Sequence, residues 1–173
     1  NGKARLTSIW EVLGNNTALR VQRKVDIPLL AVSTPGQRPY GSLLLVSDLT
    51  EPGARAGQRA RRLLPDSKLT ILHATESLYA GTLFLANVGD EVREEYRRRA
   101  QAEGMERLRA FARDASLEAI LRVELAHPIL AAQRLARTLE VDLVVLRPTK
   151  RWLTGGVAYH LTADPPCDLL LMP

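Results

Sequence analysis

The sequence predicts an α/β fold, a doubly wound and mainly parallel sheet of five strands, on three observations. Strand-length apolar runs recur along the chain, as at residues 42–47 and 142–146. Segments with helical periodicity separate them, and Gly, Pro or Asp punctuates the junctions. Runs that stay apolar without alternating suit strands buried on both faces, and strand–helix–strand succession demands right-handed crossovers and parallel pairing.

Residues 42–47 form the first strand of this domain, after Pro39, Tyr40 and Gly41. Asp48 or Thr50 caps the helix that follows, and Pro52 falls in its first turn, where a missing N–H does no harm. Small and apolar residues run through it at Ala54, Gly57, Ala60, Leu63 and Leu64, and Pro65-Asp66 ends it. Residues 69–74 are the second strand, and the fading pattern over 75–87 reads as a long loop. Gly89-Asp90 opens the longest helix, from 91 to about 115, with Val92, Tyr96, Leu108 and Phe111 inward. Its Arg97, Arg98 and Arg99 face solvent, and Gly104 is a weak point costing about 1 kcal/mol against alanine. Residues 117–125 are the third strand. His127-Pro128 starts a helix striped by Ile129, Leu130, Leu135, Ala136 and Leu139. Residues 142–146, 156–163 and 167–172 supply the fourth strand, a short helix and the fifth strand.

The first residues look like a copy of the domain's end. Gly14-Asn15-Asn16-Thr17-Ala18 parallels Gly155-Gly156-Val157-Ala158, and each is followed by a short apolar strand, 29–32 and 169–172. The expectation is a closing helix and strand of a preceding domain, plus linker, over 1–36, and a full domain over 40–173. Strand 29–32 should then lie antiparallel beside 169–172, covering an edge that would otherwise expose unpaired backbone groups.

At 173 residues, 46% apolar and 25% charged, the chain has the composition of a soluble globular domain rather than a disordered one. No run approaches the roughly 20 apolar residues of a membrane-crossing helix, so no membrane insertion is expected. A single cysteine, Cys167, excludes an internal disulfide, suits a reducing cytosol, and is expected to be buried and inert. The net charge of +5 and pI of 9.8 raise a nucleic-acid partner, but the arginines sit beside glutamates on helices, as at residues 91–99. No aromatics interleave with them to stack bases, so nucleic acid is not an expected partner. His73, His127 and His160 are isolated, which argues against a zinc site. His73 reads as a structural histidine of a core strand and His127 as a helix-start residue. Without a Gly-x-Ser-x-Gly elbow, Ser47, His73 and Asp48 do not make a catalytic triad. No catalytic residue and no metal is expected.

Five segments in order resemble the universal stress protein family, and more narrowly the second half of a bacterial tandem member. They are Val46-Ser47-Asp48-Leu49-Thr50, similar to the family's strand followed by Asp-x-Ser/Thr; the strand 69–74; the helix 127–139; the strand 141–146; and the closing helix and strand 158–173. The resemblance implies the adenine nucleotide alpha hydrolase-like fold and a stress-response role without enzymatic activity. In members that bind ATP, a Gly-x2-Gly-x9-Gly-Ser/Thr loop after the fourth strand cradles the phosphates. Here Arg147 and Lys150 match the first two glycines, Pro148 removes an N–H donor, and Gly155-Gly156 keeps the final pair without its hydroxyl. Four residues separate Lys150 from Gly155 where the family has nine. The resemblance therefore implies a degenerate nucleotide site of Ser47, Asp48, Leu72, Arg147, Lys150, Gly155, Gly156 and Val157. Asp48 matches the aspartate that faces the nucleoside in binders, and a helix cap is its equal alternative. No cofactor is the first expectation, with ATP or AMP the alternative. Expected partners are a second copy or a tandem half, joined through the closing strands. A regulatory domain of a membrane transporter is the remaining alternative.

Overall fold

A computed structural model of the chain describes residues 27–33, 39–75, 89–147 and 157–173. The elements run β1 (Leu29–Ala31), β2 (Ser42–Val46), α1 (Glu51–Leu63), β3 (Lys68–Ala74), α2 (Asp90–Asp114), β4 (Ile120–Glu124), α3 (Pro128–Thr138), β5 (Leu143–Leu146), α4 (Val157–Ala163) and β6 (Asp168–Leu171). The strands form one six-stranded sheet in the order β1-β6-β5-β2-β3-β4. The five expected strands pair in parallel, and β1 joins them antiparallel to β6. The expected helix near residues 14–18 and the loop over 75–87 fall outside the described residues, apart from Thr75.

The period of two along each strand divides the core between the two faces of the sheet. Leu44, Leu72, Val144, Leu146, Leu169 and Leu171 pack under α3 and α4. Leu43, Leu45, Leu69, Ile71, Leu143 and Val145 pack under α1 and α2. Small residues bring the helices close. The buried stripe of α1 is Gly53, Ala56, Gly57 and Ala60, and a Cβ on Gly57 would meet Leu45 and Leu117 side chains at 2.8 Å. Leu63 falls at the edge of that stripe and is 56% exposed.

Four expectations change. Val92 is exposed rather than inward. The 25 residues of α2 span about 37 Å whereas the seven of β3 span about 23 Å, so the first turns of the helix overhang the sheet. Gly104 is buried, and an added Cβ would stand 2.9 Å from Val123 Cγ1, so it is a close-approach point for α2 on β4 and not a weak point. In α3 the buried stripe is Ala131, Ala132, Leu135 and Ala136, which turns Leu130 and Leu139 outward. The third strand is shorter than 117–125, because Ser116 has a positive φ of 51° and Leu117 still bonds back to the Ala112 carbonyl. Arg97, Arg98 and Arg99 are exposed as expected, with Arg98 paired to Glu95 and Arg99 to Glu103.

Asp168 fastens β1 to the sheet. Its Oδ1 accepts from the Ser33 N–H at 2.7 Å and the Ser33 hydroxyl at 2.9 Å, while Oδ2 accepts from the Tyr40 hydroxyl at 2.8 Å. One carboxylate thus holds both ends of the segment that leads from β1 to β2. Burial and the adjacent carboxylate push the Tyr40 phenol up to about 12. No helix among the described residues is long and apolar enough to cross a membrane.

Candidate functional site

In an open parallel sheet the two strands whose crossovers leave toward opposite faces open a crevice at their carboxyl ends. Here those strands are β2 and β5. Val46 pairs with Leu72 on one side and Leu146 on the other, so Ser47 and Asp48 emerge beside Arg147. Ser47 is buried and committed to the backbone: its N–H donates to the Leu72 carbonyl at 3.0 Å and its Oγ accepts from the Leu49 N–H at 3.1 Å. Leu49 takes a positive φ of 60°, which turns the chain sharply out of the strand.

Thr50, and not Asp48, is the N-cap of α1, its hydroxyl accepting from the Gly53 N–H at 3.4 Å. Asp48 acts one step back. Its Oδ1 accepts from the Thr50 N–H at 3.2 Å and from the Thr50 hydroxyl at 2.7 Å, and the carboxylate is otherwise exposed at the crevice. Leu72 lies wholly inside the core. Arg147 is half-buried at the end of β5, and Val157, half-buried, opens α4. Lys150, Gly155 and Gly156 lie outside the described residues.

An open cleft of about 660 Å³ lies on the other side of Asp48, between α1 and α2. Its floor includes His73, 8% exposed at the end of β3. The His73 Nδ1 stands 3.3 Å from the Ser47 carbonyl and Nε2 3.5 Å from an Arg107 amino group. A carbonyl only accepts and a guanidinium only donates, so the ring carries its proton on Nδ1 and offers a lone pair at Nε2. Burial lowers the His73 pKa; the Ser47 carbonyl bond opposes this, Arg107 adds to it, and Asp48 opposes it. The imidazole is therefore neutral at pH 7. The structural role expected of His73 fits this setting. Reading the sequence did not single out Arg107, because 34 residues separate it from the histidine it meets.

His127 and Cys167 lie away from this cleft. His127 is the N-cap of α3, accepting from the Ile129 N–H at 3.3 Å. Cys167 is half-buried rather than buried, and desolvation pushes its thiol up to about 11, so the reactive thiolate is scarce at neutral pH. Among the described residues no three His, Cys, Asp or Glu side chains gather as a metal site.

No family model and no curated protein sequence matches the chain. Solved structures do. A universal stress protein in complex with cAMP aligns at TM-score 0.51 and 21% identity, over 78% of this chain and 98% of that one. A universal stress protein of Lactobacillus plantarum aligns at TM-score 0.55 and 17% identity, over 79% and 100%. The chain has the universal stress protein fold. A Pseudomonas aeruginosa protein assigned to the universal stress proteins aligns at TM-score 0.60 and 18% identity, over 89% of this chain but only 55% of its own length. In this sheet β2 and β5 are neighbours, and Asp48 and Arg147 follow their carboxyl ends.

Proposed function

We propose that the chain is a non-catalytic stress-response module that works by association or ligand sensing and does not hold ATP in the manner of the family's nucleotide binders. The observation that carries this is Arg147. It follows β5 directly at the switch point, half-buried, where the resemblance calls for the first phosphate-loop glycine. A glycine there lets backbone N–H groups reach the phosphates, whereas a long cationic side chain occupies the same approach. Asp48 supports the reading as well, since one of its oxygens already braces the cap of α1.

Association through closing strands is supported by β1. It lies antiparallel on β6, Leu29 opposite Leu171 and Ala31 opposite Leu169, where the closing strand of a second domain would lie. Residues 1–36 then belong to the end of a preceding domain, and 40–173 form the complete one. We place the protein in a reducing cytosol, on its single thiol.

A second reading, an ATP- or AMP-binding module, rests on the exposed Asp48 carboxylate and on Arg147 as a substitute phosphate donor. Thermal shift with ATP, AMP and cAMP separates the two. The first expects no rise in melting temperature with any of them at millimolar concentration. A rise with ATP or AMP that Asp48→Ala abolishes establishes the second.

A further inference from the structure

The cleft between α1 and α2 has charges of its own to satisfy. Its volume of about 660 Å³ lies within the roughly 300–1,000 Å³ range of small-molecule sites. Ala54, Ala110 and Phe111 give it apolar walls, with Leu49 at the rim. Two of its carboxylates are already neutralised: Glu51 by Arg55, and Asp114 by Arg113. Two charges at the His73 end are not. Among the described residues the Arg107 guanidinium has one polar partner, the neutral His73 ring, and the Asp48 Oδ2 accepts no hydrogen bond. They do not pair with each other, although both act on the same imidazole. An uncompensated cation and an uncompensated anion therefore flank one apolar wall bearing an aromatic ring.

We propose that this cleft binds a small zwitterion with an apolar body, of the aromatic amino-acid class, its carboxylate on Arg107, its ammonium on Asp48 and its ring against Phe111. A planar carboxylate suits the guanidinium fork, which presents several N–H donors in one plane. A ligand ring beside Phe111 and Arg107 gains from both edge-to-face packing and the cation. His73 is a positioning residue here. Its Nε2 lone pair takes one Arg107 N–H and aims the rest of the fork into the cleft. An inorganic anion does not meet these terms, because the Asp48 carboxylate opposes it at the same mouth.

The test is calorimetric titration of the whole chain with L-phenylalanine, 3-phenylpropanoate and phenethylamine, which share one ring and differ only in charge. Phenylalanine is expected to bind with one-to-one stoichiometry, and each singly charged analogue at least about tenfold more weakly, a difference of about 1.4 kcal/mol. Arg107→Gln and Asp48→Asn should each weaken phenylalanine by a similar factor. Arg107 is exposed, and Asp48→Asn keeps an amide oxygen to accept from Thr50, so these variants should melt close to the parent. No heat with phenylalanine at millimolar concentration overturns the proposal, and so does 3-phenylpropanoate binding as tightly as phenylalanine. Parent-like binding by Arg107→Gln does the same. The outcome is separable from that of the nucleotide reading, because Arg107 and Phe111 lie on α2, away from β5 and Arg147.

Discussion

Replacing Gly57 by alanine adds one methyl group where α1 lies close against the sheet. The new carbon would stand 2.8 Å from Leu45 Cδ2 and 2.8 Å from Leu117 Cδ1, both on buried side chains. Two effects oppose each other. Alanine favours the helix by about 1 kcal/mol over glycine. Carbon pairs settle near 3.5–4.0 Å, so the methyl is short of room by roughly 1 Å on two sides. Overfilled cores lose about 1–3 kcal/mol. Leu45 lies on the central strand β2 with core on every side, which puts the loss near the upper end. The net expectation is a variant about 2 kcal/mol less stable, melting roughly 4–8 °C lower for a domain of this size. Urea denaturation followed by circular dichroism reads it as a lower midpoint with unchanged slope. In a Leu117→Ala background one of the two clashes is gone, and the same substitution should cost about 1 kcal/mol less. A Gly57→Ala variant as stable as the parent, or an equal cost in both backgrounds, would refute the close packing of α1.

Gly104→Ala should also destabilise, by about 1 kcal/mol, since Val123 Cγ1 stands 2.9 Å from the new carbon and outweighs the helical gain; a higher denaturation midpoint contradicts this. Asp168→Asn should lower stability by about 1–3 kcal/mol in urea titration, because an amide cannot accept from Ser33 and Tyr40 with both of its heavy atoms. Tyr40 has a folded-state pKa of about 12 against an ordinary 10.0, so its stabilising share is complete below pH 10 and is lost as the pH rises through 12. The stability difference between the parent and Tyr40→Phe should therefore shrink between pH 10 and 12, and a difference that stays flat would show that the phenol is not held by Asp168.

What the sequence made legible was set by periodicity. Unbroken runs such as Leu43-Leu44-Leu45 are readable as buried parallel strands because both faces of the strand are covered, whereas the edge strand β4 was readable from its alternation. Punctuation was readable too: Pro52 and Pro128 sit in first turns, with Thr50 and His127 as caps. The inward faces of helices were less so. Alanine-rich stripes, as in α3, bury the helix while Leu130 projects outward, so counting large apolar residues points to the wrong side. Gly104 misled for the same reason: propensity treats glycine as a defect, and only the neighbouring strand reveals what a Cβ would strike. At the switch point, Ser47, Asp48 and Arg147 were placed by the strand ends they follow. The cleft over His73 was invisible, since Arg107 reaches the histidine across two elements and carries no local motif.

Titration of the chain with magnesium ATP by isothermal calorimetry tests the central functional claim most directly. With Arg147 in place of a phosphate-loop glycine, the account predicts no saturable heat up to millimolar nucleotide. Saturable one-to-one binding at micromolar ATP, lost in Asp48→Ala, would contradict it.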